Sequence, residues 1–577
     1  MTSGCKKVSN RRSFLFLFSL ILQFGCAMMY KKAVKKLDVV ILALNSKYIH
    51  SSLAPWYLKA EVPCAEVLEH TINEDIESVV ADVLSKSPRL LAISVYIWNI
   101  SYAEVLLKRV KEASPLTVTV VGGPEVSYCA EEVLKRCSAV DYVISGEGEI
   151  PFKALYDHII HGESGIMPGV SYGTVISEPY IGTGTPKSPY SPAYFASLQG
   201  RIAYFESSRG CPFSCAYCLS GRCEGLRFFE MDYVYENLVM LAQSGTKTIK
   251  FVDRTFNADR HRALEILSFI VRERGKLFSE DVCFHFELSG NLLDDETISF
   301  LSTVPAGLFQ FEIGIQSFHP DTVRAIHRNA DDALLKHRIR QLVNLGNTHV
   351  HTDLIAGLPY EGYSDFLNSF DEAYALGADM LQLGFLKILH GTELEARAAE
   401  YGFLYKNDPP YEVYETPWLS REDFTKLKIT ETAVDRLHNS GRFRRVIRLC
   451  LPHFDRAYDF FYECGKVIRG LRSLDETTDA LYLFLSKKFP QMAEEIRDAF
   501  VCDRLATNSA RGLPAALYRA DSRISEIKKR LNTDINTKEK LHVRRSVAIL
   551  YHANMAVYAD YESKNARGEF PLGYTYL

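Results

Sequence analysis

At 577 residues the chain is too long for one hydrophobic core, so three or four domains are expected, each burying its own interior. Its formal net charge of −4 argues against nucleic-acid binding driven by bulk charge, leaving only a local basic groove open. Thirteen cysteines, sparse and irregularly placed, exclude a disulfide framework and fit a reducing compartment.

Residues 1–36 stand apart as an N-terminal extension. Lys6, Lys7, Arg11 and Arg12 precede an apolar run from Ser13 to Cys26, the pattern of a signal peptide or lipoprotein signal, and short for a membrane span. Met28 and Met29 lie just before Tyr30-Lys-Lys-Ala-Val-Lys-Lys and the first strand. Translation is therefore expected to begin there, with residues 1–27 an over-extended reading frame.

From residue 37 to about 165 the chain alternates buried strands with amphipathic helices. The apolar runs 37–44, 90–95, 117–121 and 142–144 suit parallel strands covered on both faces. Ile76, Val79, Val80, Val83 and Leu84 fall on one helical stripe, and Val105, Leu106 and Val110 on another. This is a doubly wound α/β pattern, in which ligands bind at the carboxyl ends of the strands. Those ends read Ser94-Val-Tyr96-Ile-Trp98-Asn99, Gly122-Gly123-Pro-Glu125 and Gly146-Glu147-Gly148-Glu149. Glycines there would let a cofactor approach the backbone. After the first strand comes Asn45-Ser-Lys-Tyr-Ile-His50-Ser-Ser.

A linker, 166–197, leads to Cys211-Pro-Phe-Ser-Cys215-Ala-Tyr217-Cys218, three thiols in eight residues. Thiolates are soft ligands that select iron–sulfur or zinc sites, and three around a four-iron cubane leave one iron open. Zinc would need a second Cys pair or a paired histidine nearby, and only Cys223 is close. Cys64, Cys129, Cys137, Cys283, Cys450, Cys464 and Cys502 read as small buried hydrophobes.

The C-x3-C-x2-C motif, after Arg209-Gly210 and with Tyr217 before its third cysteine, resembles the radical S-adenosylmethionine (SAM) enzymes. The resemblance implies a [4Fe-4S] cluster on Cys211, Cys215 and Cys218 whose open iron chelates the amino and carboxylate groups of SAM, and one-electron cleavage of SAM to a 5′-deoxyadenosyl radical. It also implies a reducing electron donor such as flavodoxin or ferredoxin. An oxygen-labile cluster needing such a donor opposes export, so a cytoplasmic protein is expected, with no membrane association of the mature chain. The glycine-bearing strand ends, in this order and ahead of this motif, resemble the cobalamin-binding domain of cobalamin-dependent radical SAM proteins. That resemblance implies cobalamin contacts at Ser94, Tyr96, Gly122, Gly123, Gly146, Glu147 and Gly148. The Asp-x-His-x-x-Gly pattern that supplies a histidine to cobalt is missing around His50, so a hydrogen-bonded loop histidine is expected there.

From 198 to 395, strand and helix patterns recur. Strands are expected near 202–206 and at 246–252, 282–288, 308–315, 349–355 and 380–386, with helices at 232–244, 262–274, 294–302, 331–345 and 364–376. Six such units make the open (β/α)6 barrel of this superfamily, with functional residues at the carboxyl ends of its strands. Gly-Ile-Gln316-Ser-Phe, then Arg328, then Asp353-Leu-Ile-Ala-Gly-Leu-Pro resemble the subgroup that includes oxygen-independent coproporphyrinogen oxidase. By that resemblance Glu287, Gln316, Arg328 and Asp353 contact SAM, and Tyr217 lies beside the adenine through its backbone. The family's Gly-Gly-Glu is replaced by Val252-Asp253-Arg254, which leaves Asp253 as the candidate for the SAM amine. Glu312, inside an apolar strand, has two readings, a pair with Arg324 or another core cation and a substrate role.

From 396 to 577 helical patterns dominate, with an aromatic stripe through Cys450-Leu-Pro-His-Phe-Asp-Arg-Ala-Tyr-Asp-Phe-Phe-Tyr that reads as core. This part resembles the uncharacterised C-terminal domain of some cobalamin-binding radical SAM proteins. The expectation is thus an α/β protein: a doubly wound, Rossmann-like cobalamin domain, a partial barrel and a mainly helical C-terminal domain. With [4Fe-4S], SAM and cobalamin, the resemblance implies methyl transfer to an unactivated carbon or phosphorus of a small molecule, or a rearrangement with the same parts. The rivals are a barrel with a relic cobalamin domain, a sensor that binds cluster and corrinoid without turnover, and tRNA methylthiolation. The last would need a second cluster, for which Cys64, Cys129 and Cys137 lack the arrangement.

Overall fold

The computed structural model describes residues 38–222, 225–328, 331–508, 512–533, 545–561, 564–565 and 568–577. The N-terminal extension and Cys223 lie outside them. The described residues form two compact units, one of residues 38–47 with Ala54–Ile181 and one of Tyr48–Leu53 with the described residues from Gly182 onward.

In the first unit six strands form one sheet: β1 (Val39–Asn45), β2 (Glu66–Thr71), β3 (Leu90–Ser94), β4 (Val118–Gly122), β5 (Tyr142–Ile144) and β6 (Val170–Ser171), ordered β2-β1-β3-β4-β5-β6. The first five are parallel, and β6 runs antiparallel to β5. Side chains alternate between two cores. Val40, Leu42, Leu91, Ile93 and Val121 pack with helices Ile76–Ser85 and Ile100–Ala113, whereas Val39, Ile41, Leu90, Ala92 and Val120 pack with Phe152 and Leu155. The strand order reverses between β1 and β3, the crevice where doubly wound sheets bind ligands.

Three expectations are corrected here. β2 reads Glu-Val-Leu-Glu-His-Thr, too polar to announce a strand, and is held at the edge by side-chain bonds: Glu69 accepts from Asn45 Nδ2 at 3.2 Å and from Trp56 Nε1 at 3.1 Å. Val105 is 46% exposed, and Leu107 takes its place on the buried stripe. Cys64 is exposed rather than buried, its thiol 3.3 Å from the Tyr156 hydroxyl, and Cys283 is only half-buried.

The second unit opens with β7 (Ala203–Phe205) and a short antiparallel pair, β8 (Ser208–Gly210) and β9 (Leu226–Phe228). Five further strands follow: β10 (Thr248–Phe251), β11 (Cys283–Leu288), β12 (Phe309–Gln316), β13 (His349–Ala356) and β14 (Met380–Phe385). With β7 they make a six-stranded all-parallel sheet in sequential order. Helices Met231–Gln243, Arg260–Glu273, Asp295–Leu301, Asp332–Leu345 and Tyr363–Tyr374 fall between the strands. Asp259, Asp294 and Asp331 each cap a helix, accepting from Arg262 N, Thr297 N and Leu334 N. Phe251, Phe284, Phe286, Phe309 and Phe311 are fully buried, and the residues alternating with them present a polar face.

Tyr48–Leu53 completes the open edge beside β7. Ile202 N donates to Ile49 O at 2.8 Å, Ser51 Oγ to Ile202 O at 2.8 Å and Arg201 Nε to Tyr48 O at 2.8 Å.

Beyond residue 396 the fold is mainly helical. Tyr458, Phe460, Phe461 and Cys464, on helix Ala457–Ile468, are core as the aromatic stripe implied. A small hairpin, β15 (Leu404–Tyr405) and β16 (Val413–Glu415), precedes these helices, and a three-stranded antiparallel sheet, β17 (Arg545–Leu550), β18 (Met555–Asp560) and β19 (Leu572–Tyr576), follows them. Buried Asp498 accepts from the backbone of Tyr551, His552 and Ala553, and buried Arg497 donates to Leu517 O and Ile549 O, so two charged residues tie helix Ala493–Thr507 to the sheet.

Candidate functional site

The cysteine loop leaves β8 at Gly210, whose φ of +93° and close approach to Gly225 O, 2.1 Å from where a Cβ would lie, admit only glycine. Asp253, just past β10, is 1% exposed and accepts from Ser207 N at 2.9 Å, Ser207 Oγ at 2.6 Å and Ser208 Oγ at 2.6 Å. Its carboxylate is thus engaged in fixing the turn into the loop. This positioning task replaces the SAM-amine contact expected of it. Farther along, Ala216 N donates to Ile326 O and Ala216 O accepts from Leu394 N. The tip, Pro212-Phe213-Ser214, is exposed, and Cys211, Cys215 and Cys218 are half-buried free thiols.

Next to this loop β12 bulges between Gly314 and Gln316. Gln316 adopts φ +72° and folds its amide back over Gly314, where a Cβ would lie 2.2 Å from its Nε2. Arg328 Nη2 donates to Gly314 O at 2.6 Å, while Nη1 lies 3.4 Å from the Tyr217 hydroxyl and 4.0 Å from Cys215 Sγ. Burial pushes the Cys215 thiol up, and the Arg328 guanidinium opposes it. Gln316 Oε1 is buried with no hydrogen-bond partner among the described residues. Gln316, Arg328, Tyr217 and Cys215 are thereby brought together.

Glu287 and Asp353 lie on the polar face of β11 and β13. Burial raises both carboxyls, with Arg254 opposing at Glu287 and His351 at Asp353. Asp353 Oδ1 is buried, at ion-pair distance from His351 Nε2, 3.2 Å away. Asn257 braces the neighbouring strand end, exchanging bonds with Ser289 N and O at 2.9 Å each. Glu312 does pair with cations, but not with Arg324, which bonds Asp321. Its partners are His285 at 2.9 Å and Lys250 at 3.1 Å, and they hold its carboxyl down at about 2 against the opposing effect of burial. Lys250, His285 and His351 do not stand out in the sequence. The alternation in Thr-Ile-Lys-Phe, Phe-His-Phe-Glu and His-Val-His-Thr-Asp is the signal available.

In the first unit, the Ser94–Asn99 turn is fixed by buried Asn99, which donates to Leu44 O at 3.0 Å and Ser94 O at 3.1 Å and accepts from Tyr96 N at 2.7 Å. Tyr96 and Trp98 stack at 4.4 Å, with Trp98 47% exposed. The strand-end glycines lie close against the chain itself. A Cβ on Gly123 would lie 2.4 Å from Val95 O, and one on Gly146 2.2 Å from Tyr180 O, so the chain's own backbone fills the space a side chain would need. Gly122 and Gly148 likewise face Ile144 and Leu58. Ser145 Oγ, between Ile144 and Gly146, is buried without a hydrogen-bond partner among the described residues.

Residues 39–156 match the model of the B12 binding domain, and residues 205–373 match the model of the radical SAM superfamily. The chain is a B12-binding radical SAM protein. Residues 399–562 match a third model, described as a protein of unknown function (DUF4080). This B12-binding radical SAM protein is 26% identical over 446 residues to the 2-(S-pantetheinyl)-carbapenam-3-carboxylate methyltransferase of Streptantibioticus cattleyicolor, covering 70% of this chain and 64% of that one. It is 28% identical over 314 residues to the cobalamin-dependent radical SAM methyltransferase TokK of Streptomyces tokunonensis, covering 50% of this chain and 45% of that one. The match therefore spans just under two thirds and just under half of these curated relatives. The fold resembles the cobalamin-dependent SAM radical enzyme OxsB with a TM-score of 0.55 at 15% identity, over 87% of this chain and 82% of that one.

The domains of a B12-binding radical SAM protein call for a [4Fe-4S] cluster, SAM and cobalamin, and the residues present fit them. Three soft thiols on one braced loop suit the cluster. The Gln316 oxygen, unpartnered among the described residues, beside the Arg328 fork suits a polar cofactor, since buried polar atoms are otherwise satisfied. In the first unit, the orphaned Ser145 hydroxyl and the exposed Tyr96–Trp98 stack lie past strand ends, where such a sheet takes its ligand. Among the described residues no helix is long and apolar enough to cross a membrane.

Proposed function

We propose that this protein is a cobalamin-dependent radical SAM methyltransferase acting on a small molecule. The observation that carries this reading is the convergence of Cys215, Arg328, Tyr217 and the bulged Gln316, in a chain that also bears a B12 binding domain. The names of the two curated relatives support methyl transfer over rearrangement. When bound, the cluster and SAM supply one-electron cleavage and cobalamin supplies a transferable methyl group.

The chain's own residues have distinct tasks in this reading. Cys211, Cys215 and Cys218 hold the cluster. Arg328 offers its fork to the SAM carboxylate, Gln316, Glu287 and Asp353 receive its polar groups, and the Tyr217 backbone borders its adenine. Asp253 acts through the loop by holding Ser207 and Ser208. Ser94, Tyr96, Gly122, Gly123, Gly146, Glu147 and Gly148 border cobalamin. The domains run 37–165, 198–395 and 396–577, and the protein works in the cytoplasm with a flavodoxin- or ferredoxin-type donor.

The test supplies SAM deuterated at its methyl group to the anaerobically reconstituted, cobalamin-loaded chain with a reductant and a small-molecule extract. A product carrying three deuteriums supports the reading. Turnover of SAM that gives 5′-deoxyadenosine but never moves the label would favour rearrangement, and binding without turnover a sensor.

A further inference from the structure

The turn after β10, Asp253-Arg254-Thr255-Phe256-Asn257, is fixed at both ends. Asp253 is held by Ser207 and Ser208, and Asn257 exchanges two bonds with Ser289. Between them the Phe256 ring packs 5.2 Å from that of Phe251 and 4.4 Å from that of Phe286, and Ala258 N donates to Thr255 O at 3.0 Å. Thr255 is 4% exposed in this braced turn, and its hydroxyl lies 3.4 Å from Cys211 Sγ. A buried polar group is thus aimed at one of the three thiols of the cysteine loop.

A hydroxyl carries one proton and rotates to suit its acceptors. The Thr255 hydroxyl has two within reach, Arg254 O at 2.8 Å and Cys211 Sγ. A cysteine that ligates iron is a thiolate, with no proton to give. Contact between Thr255 and that sulfur then requires the hydroxyl to be the donor. A hydrogen bond to an ionised acceptor is about twice as strong as one between neutral groups, so the Thr255 proton turns from the carbonyl to the sulfur. Cys215 has a different neighbour, Arg328 Nη1 at 4.0 Å, and that guanidinium also reaches Gly314 O and the Tyr217 hydroxyl. Thr255 brings a neutral donor that has no part in the SAM contacts assigned above.

We propose that Thr255 tunes the iron–sulfur centre: its hydroxyl donates to Cys211 Sγ and raises the reduction potential of the cluster that Cys211, Cys215 and Cys218 hold. The proposal rests on the radical SAM reading above, because it needs Cys211 to be a cluster ligand. Hydrogen bonds to the ligating sulfurs are one of the ways a protein sets such a potential. An added electron makes the sulfurs more negative, so the Thr255 bond is stronger in the reduced state than in the oxidised one. The electron comes from the flavodoxin- or ferredoxin-type donor, and no covalent bond forms or breaks at Thr255. A higher potential moves the electron equilibrium between donor and cluster toward the cluster.

The test is a redox titration of the anaerobically reconstituted, SAM-free full chain with dithionite, followed by electron paramagnetic resonance, with iron content and SAM affinity measured in parallel. Thr255→Val replaces the hydroxyl by a methyl group of similar size. It should make the one-electron reduction constant three- to tenfold smaller, a midpoint lower by about 28 to 59 mV, with iron content and SAM affinity retained. Thr255→Ser keeps a donor and should hold the midpoint of the unaltered protein. An unchanged or higher midpoint in Thr255→Val, as a merely structural role would give, or an equally lowered midpoint in Thr255→Ser, overturns the proposal. Should Thr255→Val fail to assemble a cluster, Thr255→Ala takes its role with the same expected shift, and failure of both to assemble would make Thr255 a folding residue and overturn the tuning role. Absence of a cluster from the unaltered protein would instead defeat the assignment of the three cysteines, so the two failures are distinguishable.

Discussion

Glu361 sits on the loop after β13 with no solvent exposure, and it sets a pH dependence on the strand end that carries Gln316. Its Oε1 accepts from Ser317 Oγ at 2.6 Å and Ser369 Oγ at 2.8 Å, while Oε2 has no partner among the described residues. Burial without a facing cation pushes its carboxyl from the ordinary 4.5 up to about 7. A carboxyl raised in this way contributes its full stability below 4.5, and that contribution is lost as pH rises through about 7. Integrated from pH 6 to pH 8.5, the loss is about 1.4 kcal/mol, close to tenfold in a local opening constant. The amides that report it are Phe318 N, bonded to Ser369 Oγ at 3.1 Å, and His319 N, bonded to Ser317 Oγ at 2.9 Å. Native-state hydrogen exchange, corrected for intrinsic rates, should show their opening rise about tenfold over that range in the unaltered protein. In Glu361→Gln, which keeps a carbonyl for both serines but cannot ionise, the rise should vanish. An equal rise in the variant would refute the reasoning.

Replacing Cys211, Cys215 and Cys218 together by alanine should abolish the iron content and visible absorbance of the reconstituted protein; full cluster retention would show that other residues ligate it. Arg328→Ala should weaken SAM binding by about 1.5–3 kcal/mol, the range for a lost charge-assisted hydrogen bond, while the cluster still assembles; equilibrium dialysis with labelled SAM measures it, and unchanged affinity would remove Arg328 from the pocket. His50 shares a 2.8 Å hydrogen bond with the Tyr204 hydroxyl and lies in the segment that lines β7. Cobalamin bound to His50→Ala should therefore keep the electron paramagnetic resonance spectrum of the unaltered protein, and loss of a nitrogen superhyperfine splitting would make His50 the cobalt ligand.

The barrel was legible because its strands alternate phenylalanine and isoleucine with polar residues and its helices begin at aspartate caps, so pattern and local chemistry agree. β2 was not, because an edge strand stabilised by Glu69, Asn45 and Trp56 carries almost no apolar signal. The C-terminal sheet was hidden for a similar reason: its ties run through Arg497 and Asp498, some fifty residues away in sequence. Residue identities at the site were visible, but their tasks depended on distances. Asp253 looked like a ligand contact until its three bonds to Ser207 and Ser208 placed it behind the loop. The strand-end glycines suggested close backbone approach, and Gly123 and Gly146 take it from Val95 and Tyr180, which no local pattern announces. Glu312 had two readings, and only the side-chain distances across the sheet identify Lys250, His285 and His351 as its company.

The most direct measurement of the central claim is the product ratio of SAM turnover by the reconstituted chain, with and without cobalamin, once a methyl-accepting small molecule has been captured. A cobalamin-dependent radical methyltransferase should release S-adenosylhomocysteine and 5′-deoxyadenosine in about equal amounts for each methylated product, and should make no methylated product without cobalamin. Methylation that proceeds equally well without cobalamin, or with no 5′-deoxyadenosine formed, would contradict it.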